Sequence, residues 1–318
     1  GSIGLSFMVA MAAGPALAAA WGMDAIFWLT AVMAMAGILI VLLWIPNPAA
    51  PSRLSSREAL AMPALFRSIL SNRELLRLDA GIFLLHAIQM ASWVAVPFVL
   101  VHVLSFNRAD HWWLYMLTMG LGFVAMLPLM ILGERKRVLK WVLVTAVLVL
   151  AGAELLMFAS GASLGIFVAG LFLFFMAFNL LEACLPSLVS KMSPSGTRGT
   201  AMGIYSSSQF LGAFAGGALG GFVAQRFGVH GVFLFSASLA LLWFGVAVTM
   251  QAPRHWVSVV VQLNEGEAVP CDARIRTDVA GVEDVLLIPE QRLMYLKVDK
   301  ALFDQPALEA LLGRPLAA

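Results

Sequence analysis

The pattern of hydrophobic and polar positions is dominated by long apolar runs that are separated by short polar turns. A helix that crosses a membrane needs about 20 predominantly apolar residues in succession. Eight runs satisfy this requirement, and they lie at about 2–20, 24–45, 74–104, 110–132, 138–159, 163–190, 199–226 and 229–251. The pattern therefore predicts an all-α, polytopic membrane domain.

One polar stretch, residues 46–73, interrupts the series of apolar runs. It opens with three prolines and continues with a short amphipathic segment near 57–71 that carries arginines. We interpret this stretch as a linker that lies along the membrane surface. It separates a two-helix segment, residues 1–45, from a six-helix segment, residues 74–252.

The pattern changes again in the tail, residues 253–318. Strands are predicted at 256–263, 282–288 and 292–298, a helix at 268–279, and a final helix whose first turn Asp304 can cap. The order β-α-β-β-α is typical of a ferredoxin-like α+β domain without its last strand. A domain of about 60 residues has a marginal core. We therefore expect it to pack against the membrane domain or against a copy of itself.

The composition agrees with a membrane protein. Hydrophobic residues make up 61% of the 318 residues and charged residues 12%, whereas soluble domains have about 45–50% and about 25%. The net charge of +2 gives no indication of a nucleic-acid partner, so the expected partner of the chain is the lipid bilayer. The two cysteines, Cys184 and Cys271, form neither a disulfide framework nor a paired metal site, and no metal is expected.

Lysine and arginine are divided unequally between the loops. The stretches 46–78, 133–140 and 191–198 carry eleven of them, and the intervening short loops carry only Arg108 and Arg226. Short cytoplasmic loops of membrane proteins carry an excess of Lys and Arg. We therefore expect the linker and the C-terminal tail to be cytoplasmic.

Small residues recur at one spacing in two of the predicted helices. The later helix carries Gly203, Gly212, Gly216, Gly217, Gly220 and Gly221, and small residues stand 202 positions earlier at Gly1, Ala10, Gly14, Pro15, Ala18 and Ala19. Such faces let membrane helices approach closely. Pro15 lacks a backbone N–H, so it should also kink its helix. The match predicts two related repeats, with only the end of the first present in this sequence.

Two related six-helix repeats joined by a basic linker resemble the major facilitator superfamily, whose halves are parallel repeats. The resemblance assigns residues 1–45 to the fifth and sixth helices and residues 74–251 to the seventh to twelfth. It implies a multi-pass protein of the bacterial inner membrane, and it implies that the first four helices precede this sequence.

Three motifs extend the resemblance. Gly14-Pro15 resembles the fifth-helix motif of proton-driven drug antiporters. Glu134-Arg135-Lys136-Arg137 resembles the reduced copy of the basic loop motif that lies between the eighth and ninth helices. Residues 178–188 and 199–206 look closest to bacterial YajR-type transporters, which carry a small C-terminal cytoplasmic domain called YAM.

Ionisable side chains inside apolar spans are costly and are therefore functional candidates by default. Glu182 is the foremost, with Asn179 one helical turn before it. His86 and Gln89 share a face of the seventh helix, and histidine changes its charge near neutral pH. Tyr205 and Gln209 belong to a polar patch on the eleventh helix. We predict that Glu182, Asn179, His86, Gln89, Tyr205 and Gln209 form the pathway for substrate and protons.

A structural role is the alternative for each candidate. Glu182 could be a protonated carboxyl that ties helices together, and a lone histidine on an apolar helix is often a packing residue. Asp79 is expected to pair with Arg77 or with a loop arginine. Glu154 is expected to reach the membrane interface from the end of its helix.

The predicted function is proton-coupled export of small amphipathic compounds. No nucleotide-binding motif is visible, so the proton gradient supplies the energy and no cofactor is expected. The alternatives are a facilitator or importer of sugars or metabolites, and a sensor or scaffold that presents the C-terminal domain. The sequence contains no nucleophile–base pair, and we expect no enzymatic activity. Regulation, self-association and stabilisation all remain open as roles of the C-terminal domain.

Overall fold

The structure is a computed structural model that describes residues 6, 9–10, 13–14, 17–18, 20–45, 63–194, 197–251, 256–263, 272–288, 293–299 and 302–313. Packing divides the chain into two compact units. The first comprises Gly1–Ala50, Ala80–Leu185 and Ser207–Met250, and the second comprises Pro51–Asp79, Pro186–Ser206 and Gln251–Ala318. Most of the first apolar run and most of the linker lie outside the described residues.

Seven of the eight predicted spans are helices at the predicted places, and the run at 2–20 lies mostly outside the described residues. The helices before the tail are α1 (Asp24–Trp44), α2 (Pro63–Leu70), α3 (Arg73–His102), α4 (His111–Arg135), α5 (Leu139–Phe158), α6 (Leu164–Met192), α7 (Arg198–Phe227) and α8 (Val229–Val248). By length and composition, α1, α3, α4, α5, α6 and α8 can cross a membrane. The helix α7, predicted as a span at 199–226, is long enough but is not among those that meet the criterion of composition. The predicted polytopic helical architecture is confirmed.

Local chemistry explains where two of these helices begin. The side-chain oxygen of Asn72 accepts hydrogen bonds from the backbone N–H groups of Glu74 and Leu75, at 3.0 and 3.3 Å, and so caps the first turn of α3. Gly228 has φ of +79°, in the left-handed region that glycine adopts at little cost. This residue lets the chain turn directly from α7 into α8.

Glycines set the contact between α3 and α7. A Cβ added at Gly212 would collide with the backbone of Phe83, and one at Gly216 would collide with the backbone of Ala87. One at Gly220 would lie 2.6 Å from the Cα of Ala91. Each glycine therefore brings the backbone of α7 against the backbone of α3, and the contacts advance along both helices in the same direction.

The tail forms a small sheet with two helices. Its elements are β1 (Trp256–Gln262), α9 (Asp272–Asp278), β2 (Val282–Ile288), β3 (Leu293–Asp299) and α10 (Gln305–Leu312). The sheet order is β1-β3-β2 with both pairs antiparallel, and a register irregularity lies between Val282 and Asp284. The predicted ferredoxin-like arrangement of three strands and two helices is confirmed.

The core of this small domain includes Ile275 and Leu308 from its two helices and Leu296 from the central strand, all at most 1% exposed. Asp304 caps α10 as predicted, because its carboxylate accepts from the N–H of Ala307 at 3.0 Å. Gly281 has φ of +82°, and a Cβ there would lie 2.6 Å from the carbonyl carbon of Leu302. The tight turn into β2 therefore requires glycine.

Lys297 of β3 binds the C-terminal end of α6, which lies in the same compact unit. Its Nζ donates to the carbonyl oxygens of Lys191 at 3.1 Å and of Ser193 at 2.8 Å. The last carbonyls of a helix have no partner within the helix, and cations near them are favourable. Burial lowers the pKa of Lys297, and the carboxylates of Asp284 and Glu283 oppose that shift. Lys297 thus caps α6.

Candidate functional site

Three polar side chains from three helices meet inside the helical unit. Gln209 of α7 donates from Nε2 to His86 Nε2 of α3 at 2.9 Å, and to Glu182 Oε1 of α6 at 3.4 Å. His86 Nε2 lies 3.8 Å from the other carboxyl oxygen, Oε2 of Glu182. These contacts define a His86–Glu182–Gln209 cluster.

The hydrogen bonds determine which nitrogen of His86 carries the proton. Because Gln209 donates to Nε2, that nitrogen acts as an acceptor. Nδ1 then carries the hydrogen and donates to the carbonyl oxygen of Ile82 at 3.3 Å. His86 is therefore neutral in this arrangement, with its acceptor nitrogen directed at the amide of Gln209.

A second arrangement follows from adding a proton. Protonation at Nε2 makes His86 a donor at both nitrogens, so the amide of Gln209 can no longer donate to it. The available acceptor is the Glu182 carboxylate, whose Oε2 is buried and has no hydrogen-bond partner among the described residues. The cluster can therefore take up a proton by exchanging one hydrogen bond for another.

The cluster is largely screened from the surroundings. Phe178 packs its ring edge-on to the ring of His86, with 5.8 Å between the centroids, and Phe174 stacks on Phe178. The side chain of Glu182 keeps 22% of its surface exposed, against 11% for that of His86. The side chain of Glu182 is therefore more accessible than that of His86.

The other predicted pathway residues are buried. Asn179 and Gln89 are buried, and neither makes a hydrogen bond to the cluster among the described residues. Tyr205 is buried near the start of α7, within the other compact unit. Their roles in the pathway stay predictions.

Asp79 differs from expectation. It is buried, and Arg77 contacts Glu74, one helical turn away, instead of Asp79. Glu74 in turn accepts from the backbone N–H of Gln251 at 3.0 Å. The pairing predicted between Asp79 and Arg77 is therefore wrong, and the alternative, a loop arginine, falls partly on linker residues outside the described ones and stays a prediction.

The basic loop motif forms the turn between α4 and α5. Arg137 has φ of +58°, and the N–H of Val138 donates to the carbonyl of Gly133 at 2.9 Å. The side chains of Arg135, Lys136 and Arg137 are exposed, whereas Glu134 is half-buried. The turn therefore presents a cluster of positive charge.

Only some glycines of the predicted packing motif contact a neighbouring helix in the described part of the chain. Gly212, Gly216 and Gly220 contact α3, whereas no described atom lies within 4 Å of a Cβ built at Gly217 or at Gly14. Pro15 lies outside the described residues. The roles assigned to Gly14, Pro15 and Gly217 stay predictions.

Glu154 was expected at the membrane interface, and that expectation is wrong. Its side chain is 0% exposed, and its Oε1 accepts from the hydroxyl of Ser92 on α3 at 2.7 Å. Ser92 also lies 3.4 Å from the hydroxyl of Ser236 on α8. Ser92 therefore supplies one polar partner for the carboxyl inside the helix bundle, whereas Oε2 of Glu154 is buried without a hydrogen-bond partner among the described residues. Serines at 92 and 236 within apolar runs were the signal for this cluster.

Replacing Glu154 by alanine should destabilise the bundle by about 1–3 kcal/mol, because it leaves a cavity and removes a contact between helices. Glu154→Gln is the matched control, since it keeps the volume and an acceptor oxygen for Ser92. The measurement is the melting temperature of the purified protein in detergent. Equal melting temperatures for the alanine variant and the wild type would contradict this structural role.

A profile of the Major Facilitator Superfamily matches residues 78–279 of the chain. The chain is 37% identical over 309 residues to the inner membrane transport protein YajR of Escherichia coli (strain K12), which covers 97% of this chain and 67% of YajR. It is 27% identical over 215 residues to the uncharacterized transporter BU466 of Buchnera aphidicola, covering 68% of this chain and 55% of that protein. The chain therefore spans between about half and two thirds of the length of these relatives.

Solved structures show the same fold at low identity. The human organic anion transporter MFSD10 superposes with a TM-score of 0.56 at 22% identity, over 77% of this chain and 62% of that one. FucP in the outward conformation superposes with a TM-score of 0.51 at 14% identity, over 72% of this chain and 54% of that one. At these identities the likeness establishes the fold alone.

Proposed function

The chain belongs to the major facilitator superfamily of transporters, and from that premise we propose that it exports small amphipathic compounds in exchange for protons. In this mechanism two six-helix halves rock about a site near the middle of the membrane and expose it to each side in turn. The observation that carries the proposal is the His86–Glu182–Gln209 cluster.

The cluster supports proton coupling because its two titratable groups share one hydrogen-bonding amide. When His86 and Glu182 are linked through Gln209, the helices α3, α6 and α7 are held together. A proton on His86 breaks the bond from Gln209 and favours a direct contact with Glu182 instead. An ion can shift a conformational equilibrium only through such a difference in contacts between two states.

The cluster also supports a cationic or amphipathic substrate. The side chain of Glu182 is more exposed than that of His86, and the ring of Phe178 lies beside His86 with Phe174 stacked on it. A carboxylate next to aromatic rings suits a compound with a positive charge and an apolar body. If that compound and a proton compete for the carboxylate of Glu182, binding of one releases the other, and the compound is exchanged for a proton.

We place the protein in the bacterial inner membrane, with the basic loops and the C-terminal domain in the cytoplasm. YajR is an inner membrane transport protein, and the eleven Lys and Arg residues of one set of loops agree with this orientation. The C-terminal domain then corresponds to a YAM-like domain, through which two copies of the protein could associate. The proton gradient is the energy source, and no cofactor takes part.

Transport by the full-length protein in inverted membrane vesicles tests the proposal. With a proton gradient imposed, acid inside, the vesicles should accumulate a fluorescent amphipathic cation such as ethidium, and an uncoupler should abolish the accumulation. Vesicles without the protein are the control. A flux of ethidium that an uncoupler leaves unchanged would contradict proton coupling and would favour the alternative of a facilitator.

A sensor or scaffold is the second candidate, and the contact of Lys297 with the end of α6 favours it. The two hydrogen bonds join the C-terminal domain to a helix that carries Glu182. A transporter should keep its substrate flux when residues 253–318 are deleted, whereas a sensor should lose its whole phenotype.

A further inference from the structure

A groove between α4, α5 and α6 plays no part in the proposed transport site. Its volume is about 230 Å³, and its lining includes Leu129 of α4, Trp141, Thr145 and Val149 of α5, and Met176 and Leu180 of α6. Thr145 and the Trp141 indole supply the only polar side-chain atoms in this lining. None of the cluster residues His86, Glu182 and Gln209 lines it.

The shape of the groove suits a single hydrocarbon chain. It follows α5 from Trp141 to Val149, a rise of about 12 Å at 1.5 Å per residue. Its volume lies below the range of about 300–1,000 Å³ that is typical of sites for drug-sized ligands. Trp141 is 58% exposed and Leu129 is 38% exposed, so the groove opens onto the outer surface of the bundle, where lipid lies.

Positive charge gathers at one end of the groove. Lys140 precedes Trp141, and its Nζ lies 5.1 Å from the centroid of the Trp141 ring. Arg135, Lys136 and Arg137 are exposed on the adjoining turn, and Glu134 is its one acidic side chain. Four cations therefore stand at the end where Trp141 lies, whereas the end at Val149 is apolar.

We propose that this groove binds an anionic phospholipid, with one acyl chain along α5 and the phosphate against Lys140 and the adjoining basic turn. Basic pockets between membrane helices on the cytoplasmic side bind anionic headgroups, and tryptophan prefers the headgroup level. The proposal goes beyond transport, because it concerns a second ligand at a separate place in the fold.

Native mass spectrometry of the full-length protein in detergent tests this assignment. Phosphatidylglycerol and phosphatidylcholine with the same acyl chains are added at equal concentration, and we expect about a tenfold preference for phosphatidylglycerol, which corresponds to about 1.4 kcal/mol. Equal retention of the two lipids would show only a nonspecific lipid layer and would overturn the proposal.

Two pairs of variants separate the chain site from the headgroup site. Thr145→Phe fills the groove from its exposed side, and Leu148→Phe adds the same ring to α5 outside it. Lys136→Gln combined with Lys140→Gln removes two cations, and Arg226→Gln removes one elsewhere. The preference should fall to near unity in Thr145→Phe and in the double lysine variant, and should persist in both controls.

Other occupants give different results. Displacement of the lipid by glycerol 3-phosphate would indicate a site for free phosphate compounds, and displacement by ethidium would indicate a second site for the transported compound. Either result would overturn the lipid assignment, as would an undiminished preference in Thr145→Phe. Because no flux is measured, failure here leaves the proposed transport function untouched.

Discussion

Gly216→Ala should leave little folded protein, because the new methyl group has no space between α7 and α3. It would stand against the carbonyl oxygen of Ala87 and 2.5 Å from its Cα. The obstructing atoms belong to the backbone of a packed helix, and they cannot move aside as a flexible side chain could. The two helices must therefore separate. Overpacking typically costs about 1–3 kcal/mol and occasionally more, and we expect the upper end of that range.

The control for this variant lies on the same helix. No described atom comes within 4 Å of a Cβ at Gly221, and alanine favours a helix over glycine by about 1 kcal/mol. Gly221→Ala should therefore melt at the temperature of the wild type or slightly above it. The measurement is the fraction of monodisperse protein after heating in detergent. A Gly216→Ala variant as stable as Gly221→Ala would refute the close contact.

Glu182→Gln should abolish proton-driven transport while the protein still folds. Glutamine keeps an oxygen that can accept from Gln209, but it can neither bind nor release a proton. Hydrogen bonds to charged groups contribute about 1.5–3 kcal/mol, and about 1.4 kcal/mol corresponds to a factor of ten. We therefore expect the proton-driven accumulation of ethidium to fall by at least about tenfold.

The comparison for Glu182→Gln is a second buried carboxyl. Glu154→Gln removes an ionisable group that lies outside the cluster, so it should leave the proton-driven accumulation near the level of the wild type. Both variants are measured in inverted vesicles at matched protein content, with melting temperature as the check on folding. Unchanged accumulation in Glu182→Gln would show that the carboxyl only ties helices together.

The helices could be predicted closely from the sequence because membrane helices are defined by local composition. The apolar run predicted at 24–45 forms the helix Asp24–Trp44, and the run predicted at 229–251 forms the helix Val229–Val248. In the tail, Asp304 is a cap that can be recognised from its own neighbours. In both cases the information needed lies within one or two turns of the residue concerned.

The site could not be predicted to the same degree because its contacts join distant parts of the chain. Gln209 lies 123 residues from His86, and Ser92 lies 62 residues from Glu154. Helical spacing predicts which residues share a face, but it does not determine which helix that face meets. The expectation that Glu154 reaches the membrane interface is wrong for this reason. For Gly212 and Gly216, the spacing predicted a close contact between helices but did not indicate that the neighbouring helix is α3.

The two hydrogen bonds from Lys297 to the end of α6 affect how the protein can be shortened or tagged. A truncation before β1 removes the C-terminal domain and also uncaps α6, because the carbonyls of Lys191 and Ser193 lose the hydrogen bonds that Lys297 donates. Lys297→Met separates these effects, because it removes the cap and keeps the rest of the domain. A fluorescent reporter is better attached beyond residue 313, where α10 has ended, than in place of the domain.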